Sequence, residues 1–245
     1  MSITINMRVE SYDVQPNGNI KLSSLLKMLQ KAAGDDVNRT DLNYFNLADN
    51  KIAFVLTKMC VKILSDIKVY DELSIISHPR KTRGASFPRD FVVKCGDNTV
   101  AVARSIWVLL DLEKRTILRP SALNSIGSLP TNDVDDLFEI ADVRRNFDTS
   151  HPSRTNVHSV EYSQLDMNNH LNNTFYSDFV FNLIENNRDS DAGLYMQINY
   201  KAEARLGDVL SICYIQNNDG SYDFQADNLT NSKNCFTAYI SFGID

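Results

Sequence analysis

Cysteine, long apolar runs and positive charge are all in short supply in this 245-residue sequence. Each shortage removes a class of function. The four cysteines, Cys60, Cys95, Cys213 and Cys235, form no CxxC pair. Three lie in strand-like runs, so they read as reduced core thiols with no metal site. No apolar run reaches the roughly 20 residues of a membrane-spanning helix, so no membrane association is expected. The opening Met1-Ser2-Ile3-Thr4-Ile5-Asn6 lacks the basic and apolar regions of a secretory signal. A cytoplasmic protein is the expectation. Lys and Arg number 25 against 31 Asp and Glu, a net charge of −6. That argues against nucleic acid as a partner but leaves room for an acidic one at a local basic patch. What remains is an ordinary globular balance, 43% hydrophobic and 23% charged, in a chain long enough for two smaller domains.

Strand and helix patterns alternate along the chain. Residues 3–12 read as a strand and Gln15-Pro16-Asn17-Gly18-Asn19 as a turn. Ile20, Leu22, Leu25, Leu26, Leu29, Ala32 and Ala33 mark an amphipathic helix ending near Gly34. Residues 41–50 read as a polar connection. Long strands are expected over 52–63, 72–77, 91–95 and 99–111, with a hairpin at Gly96-Asp97-Asn98. Residues 117–154, with Pro120, Pro130, Asp133, Asp135, Asp136, Arg144 and Arg145, look like a linker. The first pattern then returns. The order strand, turn, helix of residues 12–26 recurs over 162–176, and two later strands echo as well. One α+β unit is therefore written twice.

The second copy differs from the first in one stretch, Asp166-Met167-Asn168-Asn169-His170-Leu171-Asn172-Asn173. An extended backbone would point Asp166, Asn168 and His170 the same way. Asn172 and Asn173 are good N-cap residues. Phe175, Phe179, Val180 and Leu183 follow at helical spacing, over about three turns. Aligned by pattern, the first copy has Pro16, Gly18 and Ile20 where the second has the polar triplet. That asymmetry points to one active site in a pseudo-dimer.

These residues resemble the bacterial acyl-ACP thioesterase family. The D-x-N-x-H-x-N-N motif carries the likeness, with Tyr200-Lys201-Ala202-Glu203-Ala204, Tyr12-Asp13-Val14, Pro16-Asn17-Gly18 and Phe87-Pro88-Arg89-Asp90-Phe91 in support. The resemblance implies two tandem hotdog domains, each a long helix wrapped by a curved antiparallel sheet. It implies an acyl-chain-binding domain over 1–128, a linker over 129–154 and a catalytic domain over 155–245. The activity implied is hydrolysis of a fatty acyl thioester on acyl carrier protein, with no cofactor and no metal. The functional positions carried over are Asp166, Asn168, His170 and Glu203. Some relatives have cysteine beside the glutamate; here that position is Ala204, so a papain-like thiol mechanism is not available.

Thioester hydrolysis needs a nucleophile, a base and donors for the oxyanion. Asn168 can donate to the carbonyl oxygen, and helix N–H groups near Asn172 or Asn173 are alternatives. His170, Glu203 and Asp166 can share proton traffic around a water, or Asp166 can attack directly. Leu25, Leu26, Met28, Leu29 and Ala32, with Phe54 and Leu56, are candidate acyl-chain lining. Arg80, Lys81, Arg83 and Arg89 are candidate docking residues for an acidic carrier, with Arg144, Arg145 and Arg154 as a second group. A monomeric pseudo-dimer or a homodimer fits. Rival readings are an acyl-CoA thioesterase, a hotdog dehydratase and a non-enzymatic acyl-chain sensor.

Overall fold

A computed structural model describes residues 2–129, 131, 138–140, 142–143, 152–184 and 190–243. The first half contains β1 (Ile3–Arg8), α1 (Leu22–Val37), α2 (Tyr44–Asp49), β2 (Ile52–Ile63), β3 (Glu72–Pro79), β4 (Ser86–Cys95), β5 (Asn98–Asp111) and β6 (Thr116–Leu118). The second contains β7 (Arg154–Ser159), α3 (Phe175–Phe181), β8 (Tyr195–Tyr200), β9 (Val209–Gln216), β10 (Tyr222–Asn228) and β11 (Lys233–Ser241). All these strands join one antiparallel sheet in the order β1-β3-β4-β5-β2-β8-β11-β10-β9-β7, with β6 on β5.

Read inward from each edge, the two halves follow one path, β1-β3-β4-β5-β2 and β7-β9-β10-β11-β8. The tandem repeat expected from the sequence is therefore the architecture observed. The halves join where β2 pairs with β8, in the register Lys58↔Asn199, Cys60↔Gln197 and Lys62↔Tyr195. Cys60 and Gln197 occupy equivalent places in the two repeats, so the pseudo-twofold axis passes between them.

Each sheet half curls around a helix. Leu25, Leu29 and Ala32 of α1 are fully buried against Leu73, Ile75, Phe91 and Val93 in the same core. Fully burying one such leucine is worth about 1.5–3 kcal/mol. Phe179 and Val180 of α3 lie in the continuation of that core with Phe224, Phe236 and Ile240. Helix α1 runs past Gly34 to Val37, longer than its pattern indicated. Helix α3 is shorter than expected, two turns rather than three. Its end tightens, the Leu183 N–H going back three residues to Val180 O at 3.1 Å. Leu183 and Ile184 stay buried beyond it.

Residues 41–50 are not the plain connection expected. Asn43 caps α2 by accepting the Asn46 N–H at 3.1 Å. Leu42 and Leu47 anchor that short helix in a second core with Phe87, Leu109 and Leu123. Of the expected linker, Pro130, Asp133, Asp135, Asp136, Arg144 and Arg145 lie outside the described residues.

Candidate active site

Asp166, Asn168 and His170 do not sit on an extended strand. They form a tight turn closed by a bridge between Leu165 and Leu171. Asp166 N–H donates to His170 O at 2.8 Å, and Asn169 N–H to Asp166 O at 3.0 Å. Asn169 takes a φ of +60°, a conformation asparagine tolerates better than most residues. The Asp166 carboxylate is drawn into the turn itself. Its Oδ1 accepts the N–H of Asn168 at 2.8 Å and of His170 at 3.1 Å. An Asx turn of this kind lets a short acidic side chain replace a missing backbone acceptor.

The same turn exists in the first repeat, displaced by one residue from the pattern alignment. Val14 bridges Ile20, Gln15 N–H reaches Asn19 O at 2.7 Å, and Gly18 takes a φ of +81°. So Gln15, Asn17 and Asn19 are the counterparts of Asp166, Asn168 and His170. The first copy keeps polar side chains there but no charge and no imidazole.

One backbone bond brings His170 to Glu203. Leu171 N–H donates to Ala204 O at 2.8 Å. The residues just before each of these, His170 and Glu203, are thereby set side by side. His170 Nε2 lies 3.3 Å from Glu203 Oε2. Both side chains are partly open to solvent, as a site that admits substrate requires. Asn168 is exposed beside them.

Two residues that the sequence did not single out complete the cluster. Arg115 Nη2 donates to the same Glu203 Oε2 at 2.8 Å. The Tyr44 hydroxyl donates to Asn168 Oδ1 at 3.3 Å. Both come from the first repeat, Tyr44 from α2 and Arg115 from the β5–β6 turn. No local signal marks either one, since each reaches the site only through the tertiary fold.

Of the alternative oxyanion donors, the Asn172 N–H is spent on Gln164 O at 2.9 Å. Asn173 lines a narrow crevice with Thr174, Tyr200, Leu26, Gln30, Leu56, Met59, Phe91 and Trp107. The crevice runs between the repeats and has room for roughly one water molecule. Leu26 and Leu56 of the expected lining are found there. Leu25, Met28, Leu29 and Ala32 instead face the main core. Phe54 packs edge-on against Phe87 in the second core, which takes it away from the crevice.

The expected docking stretch divides in two. Arg89 is only 5% exposed and is held by Asp36 at 2.5 Å and Ser77 Oγ at 2.6 Å. The Arg80 side chain is 11% exposed and lies 3.6 Å from buried Asp90. A buried guanidinium needs a partner to offset its desolvation, so these two arginines are structural and not part of a docking surface. Lys81 and Arg83 are exposed on the β3–β4 turn. The cysteines are poorly suited to catalysis. Burial pushes the thiols of Cys60 and Cys235 up to about 11, and raises Cys213 and Cys95 as well.

A model of the acyl-ACP thioesterase N-terminal domain matches residues 2–121, and one of the C-terminal domain matches residues 148–242. The chain belongs to the acyl-ACP thioesterase family. This thioesterase hydrolyses fatty acyl-carrier thioesters and releases free fatty acid. Among solved structures, it is similar to an acyl-ACP thioesterase from Bacteroides thetaiotaomicron, with a TM-score of 0.83 at 18% identity, over 99% of this chain and 98% of the other. It is also similar to the 12:0-ACP thioesterase from Umbellularia californica, with a TM-score of 0.80 at 15% identity, over 100% and 98%. At such identities the likeness establishes the shared fold. No curated protein matches the sequence. No described helix of the thioesterase is long and apolar enough to cross a membrane.

Proposed function

We propose that this thioesterase works through an activated water, with His170 as the base, Glu203 as its orienting partner and Asn168 as the oxyanion donor. The observation that carries this reading is the contact between His170 Nε2 and Glu203 Oε2 at 3.3 Å. An ionised Glu203 holds the imidazole proton on Nε2 and leaves Nδ1 basic. Water attacks the thioester carbon while Nδ1 takes its proton. The carbonyl oxygen becomes an oxyanion, held by the Asn168 carboxamide. Collapse breaks the C–S bond, and the departing thiolate takes the proton back from His170. Asp166 shapes the turn that presents Asn168 and His170.

The acyl chain enters the crevice between the repeats along Leu26 and Leu56, so residues 1–128 hold the chain and 155–245 carry the chemistry, with 129–154 as the link. The crevice must open to admit it. Lys81 and Arg83 remain docking candidates. Lys51 and Lys114, exposed at the β5–β6 turn that carries Arg115, are further candidates.

The test is release of free thiol from acyl-carrier and acyl-CoA substrates side by side, with intact-protein mass recorded during turnover. His170→Ala and Glu203→Gln should lose kcat in folded protein, and Asn168→Ala should lose roughly a hundredfold. An acyl adduct on Asp166 would replace the water mechanism by a covalent one.

A further inference from the structure

We propose that the first repeat supplies two positioning residues to the catalytic centre of the second, Arg115 acting through Glu203 and Tyr44 acting through Asn168. The inference rests on the roles given above to Glu203, His170 and Asn168. It changes the part played by the first repeat, which then builds the site as well as holding the acyl chain.

Arg115 and His170 meet the same oxygen of Glu203, at 2.8 Å and 3.3 Å. A carboxylate pinned by a guanidinium has little freedom to rotate. A pinned, ionised Glu203 fixes the proton of His170 on Nε2. Tyr44 does the equivalent for Asn168. Its O–H takes the carbonyl end of the carboxamide, so the Nδ2 end is left to donate to an oxyanion. Without that bond the amide can flip and present an acceptor to the developing charge.

The local structure around both residues is built to deliver them. Arg115 takes a φ of +56°, a backbone conformation that favours glycine. Asp111 holds that turn, its Oδ1 accepting the N–H of Glu113 at 3.0 Å and of Lys114 at 2.8 Å, and its O accepting the N–H of Arg115 at 2.8 Å. The α2 segment is tied to the same turn, since Leu112 N–H donates to Lys51 O at 2.8 Å. Tyr44 and Arg115 therefore sit on one braced platform that spans two contacts to the catalytic turn and its neighbour. Any shift of the repeats across the β2–β8 seam moves both contacts together.

The test uses the full chain with acyl-carrier substrate. The variants are Arg115→Ala, Arg115→Lys, Tyr44→Phe, Glu203→Gln and the double variant Arg115→Ala with Glu203→Gln. Circular dichroism and melting confirm that each is folded. Arg115→Ala should lower kcat by about 10- to 100-fold with KM nearly unchanged, because misorientation of a reacting group acts on the chemical step. Arg115→Lys should recover part of the loss, and added guanidinium at non-denaturing concentration should recover part of it for Arg115→Ala. In the Glu203→Gln background the Arg115 change should add little, since the residue it acts through is already disabled. Tyr44→Phe should lower kcat by about tenfold, again at constant KM.

A rise in KM at constant kcat for Arg115→Ala would overturn the proposal and make Arg115 a substrate-binding residue. Additive losses in the double variant would overturn it too. Wild-type turnover in Tyr44→Phe would remove that half. Wild-type turnover in Glu203→Gln is a different failure, because it sinks the role of Glu203 in the proposed function itself.

Discussion

Asn19 holds in the first repeat the place that His170 holds in the second. Both give their carbonyl oxygen to close the same turn, at 2.7 Å and 2.8 Å. Their surroundings have diverged. His170 is partly open to solvent and faces Glu203, whereas Asn19 is fully buried and faces Lys68. Lys68 also reaches Asp66, the counterpart of Glu203, at 3.1 Å. Asp66 in turn accepts from Ser190 and from the Asp191 N–H, at 2.9 Å and 2.7 Å. Where one repeat pairs an imidazole with a carboxylate, the other has a clasp. It ties the first repeat to the segment that leads into β8.

Asn19→Ala should accordingly act on stability and not on turnover. Removing the buried carboxamide deletes its hydrogen bond from Lys68, which keeps Asp66, at a cost of about 0.5–1.5 kcal/mol. The midpoint of chemical denaturation should fall while kcat on acyl-carrier substrate stays within about twofold of wild type. A large loss of kcat in a stably folded Asn19→Ala protein would mean that the first repeat has kept a catalytic role at this turn.

Asp166 can be separated from chemistry by a conservative change. Asn keeps the side-chain oxygen that accepts the Asn168 and His170 N–H groups, so Asp166→Asn should preserve the turn. Its turnover should fall by less than about tenfold, whereas Asp166→Ala, which removes the acceptor, should fall by about a hundredfold or more. Equal and complete inactivation of both folded variants would place the carboxylate itself in the reaction, as nucleophile or base.

The thiols should be catalytically silent and should show themselves only in alkaline stability. Thiol-blocking reagents should leave turnover intact, since Ala204 occupies the one candidate position. Cys60 and Cys235 are pushed from 9.0 to about 11 by burial. The folded protein therefore holds those protons more tightly than the unfolded chain. Their contribution to stability is complete below about pH 9 and is lost as pH rises toward 11. Denaturation midpoints recorded across that window should fall with pH, and less steeply after Cys60→Ala. A flat profile would show that the two thiols titrate as if exposed.

The repeat was readable in sequence because its units are defined by local pattern: strand, turn, helix, then strands in a fixed order. The motif Asp166-Asn168-His170 was equally plain, but its shape was not. Alternation of polar residues predicts a strand, and hydrogen bonds from the backbone N–H groups of Asn168 and His170 to the Asp166 carboxylate fold it into a turn instead. The register of the repeat slipped by one residue because apolar Ile20 was matched to His170, whereas the bridges pair Ile20 with Val14 and Leu171 with Leu165. Arg89 reads as a surface charge, since nothing nearby in sequence announces Asp36 as its partner, and Arg80 does so because its partner Asp90 faces it only across the β3–β4 pairing. Tyr44 and Arg115 lie 124 and 88 residues from the groups they touch, a separation at which spacing carries no information.

Salt dependence and charge reversal test two basic surfaces as docking sites for the carrier. Lys81 and Arg83 lie on the β3–β4 turn, close to where Ser86 pairs with Val108 of β5. Lys51 and Lys114 lie at the β5–β6 turn that carries Arg115, the Lys51 carbonyl accepting the Leu112 N–H there. An acidic carrier steered by either surface should react more slowly as salt rises, because screening limits attraction to about 8 Å at physiological ionic strength. That loss should appear in kcat/KM, with kcat little changed, and a short acyl-pantetheine mimic should be nearly insensitive to salt. Lys51→Glu with Lys114→Glu should reproduce high salt for the carrier substrate and leave the mimic unaffected. Lys81→Glu with Arg83→Glu should have the weaker effect, since Lys114 adjoins Arg115 and its contact with Glu203. The reverse ranking would move the carrier to the β3–β4 turn. Equal responses from carrier and mimic would mean that neither surface acts by steering, and that the charges act on the site itself.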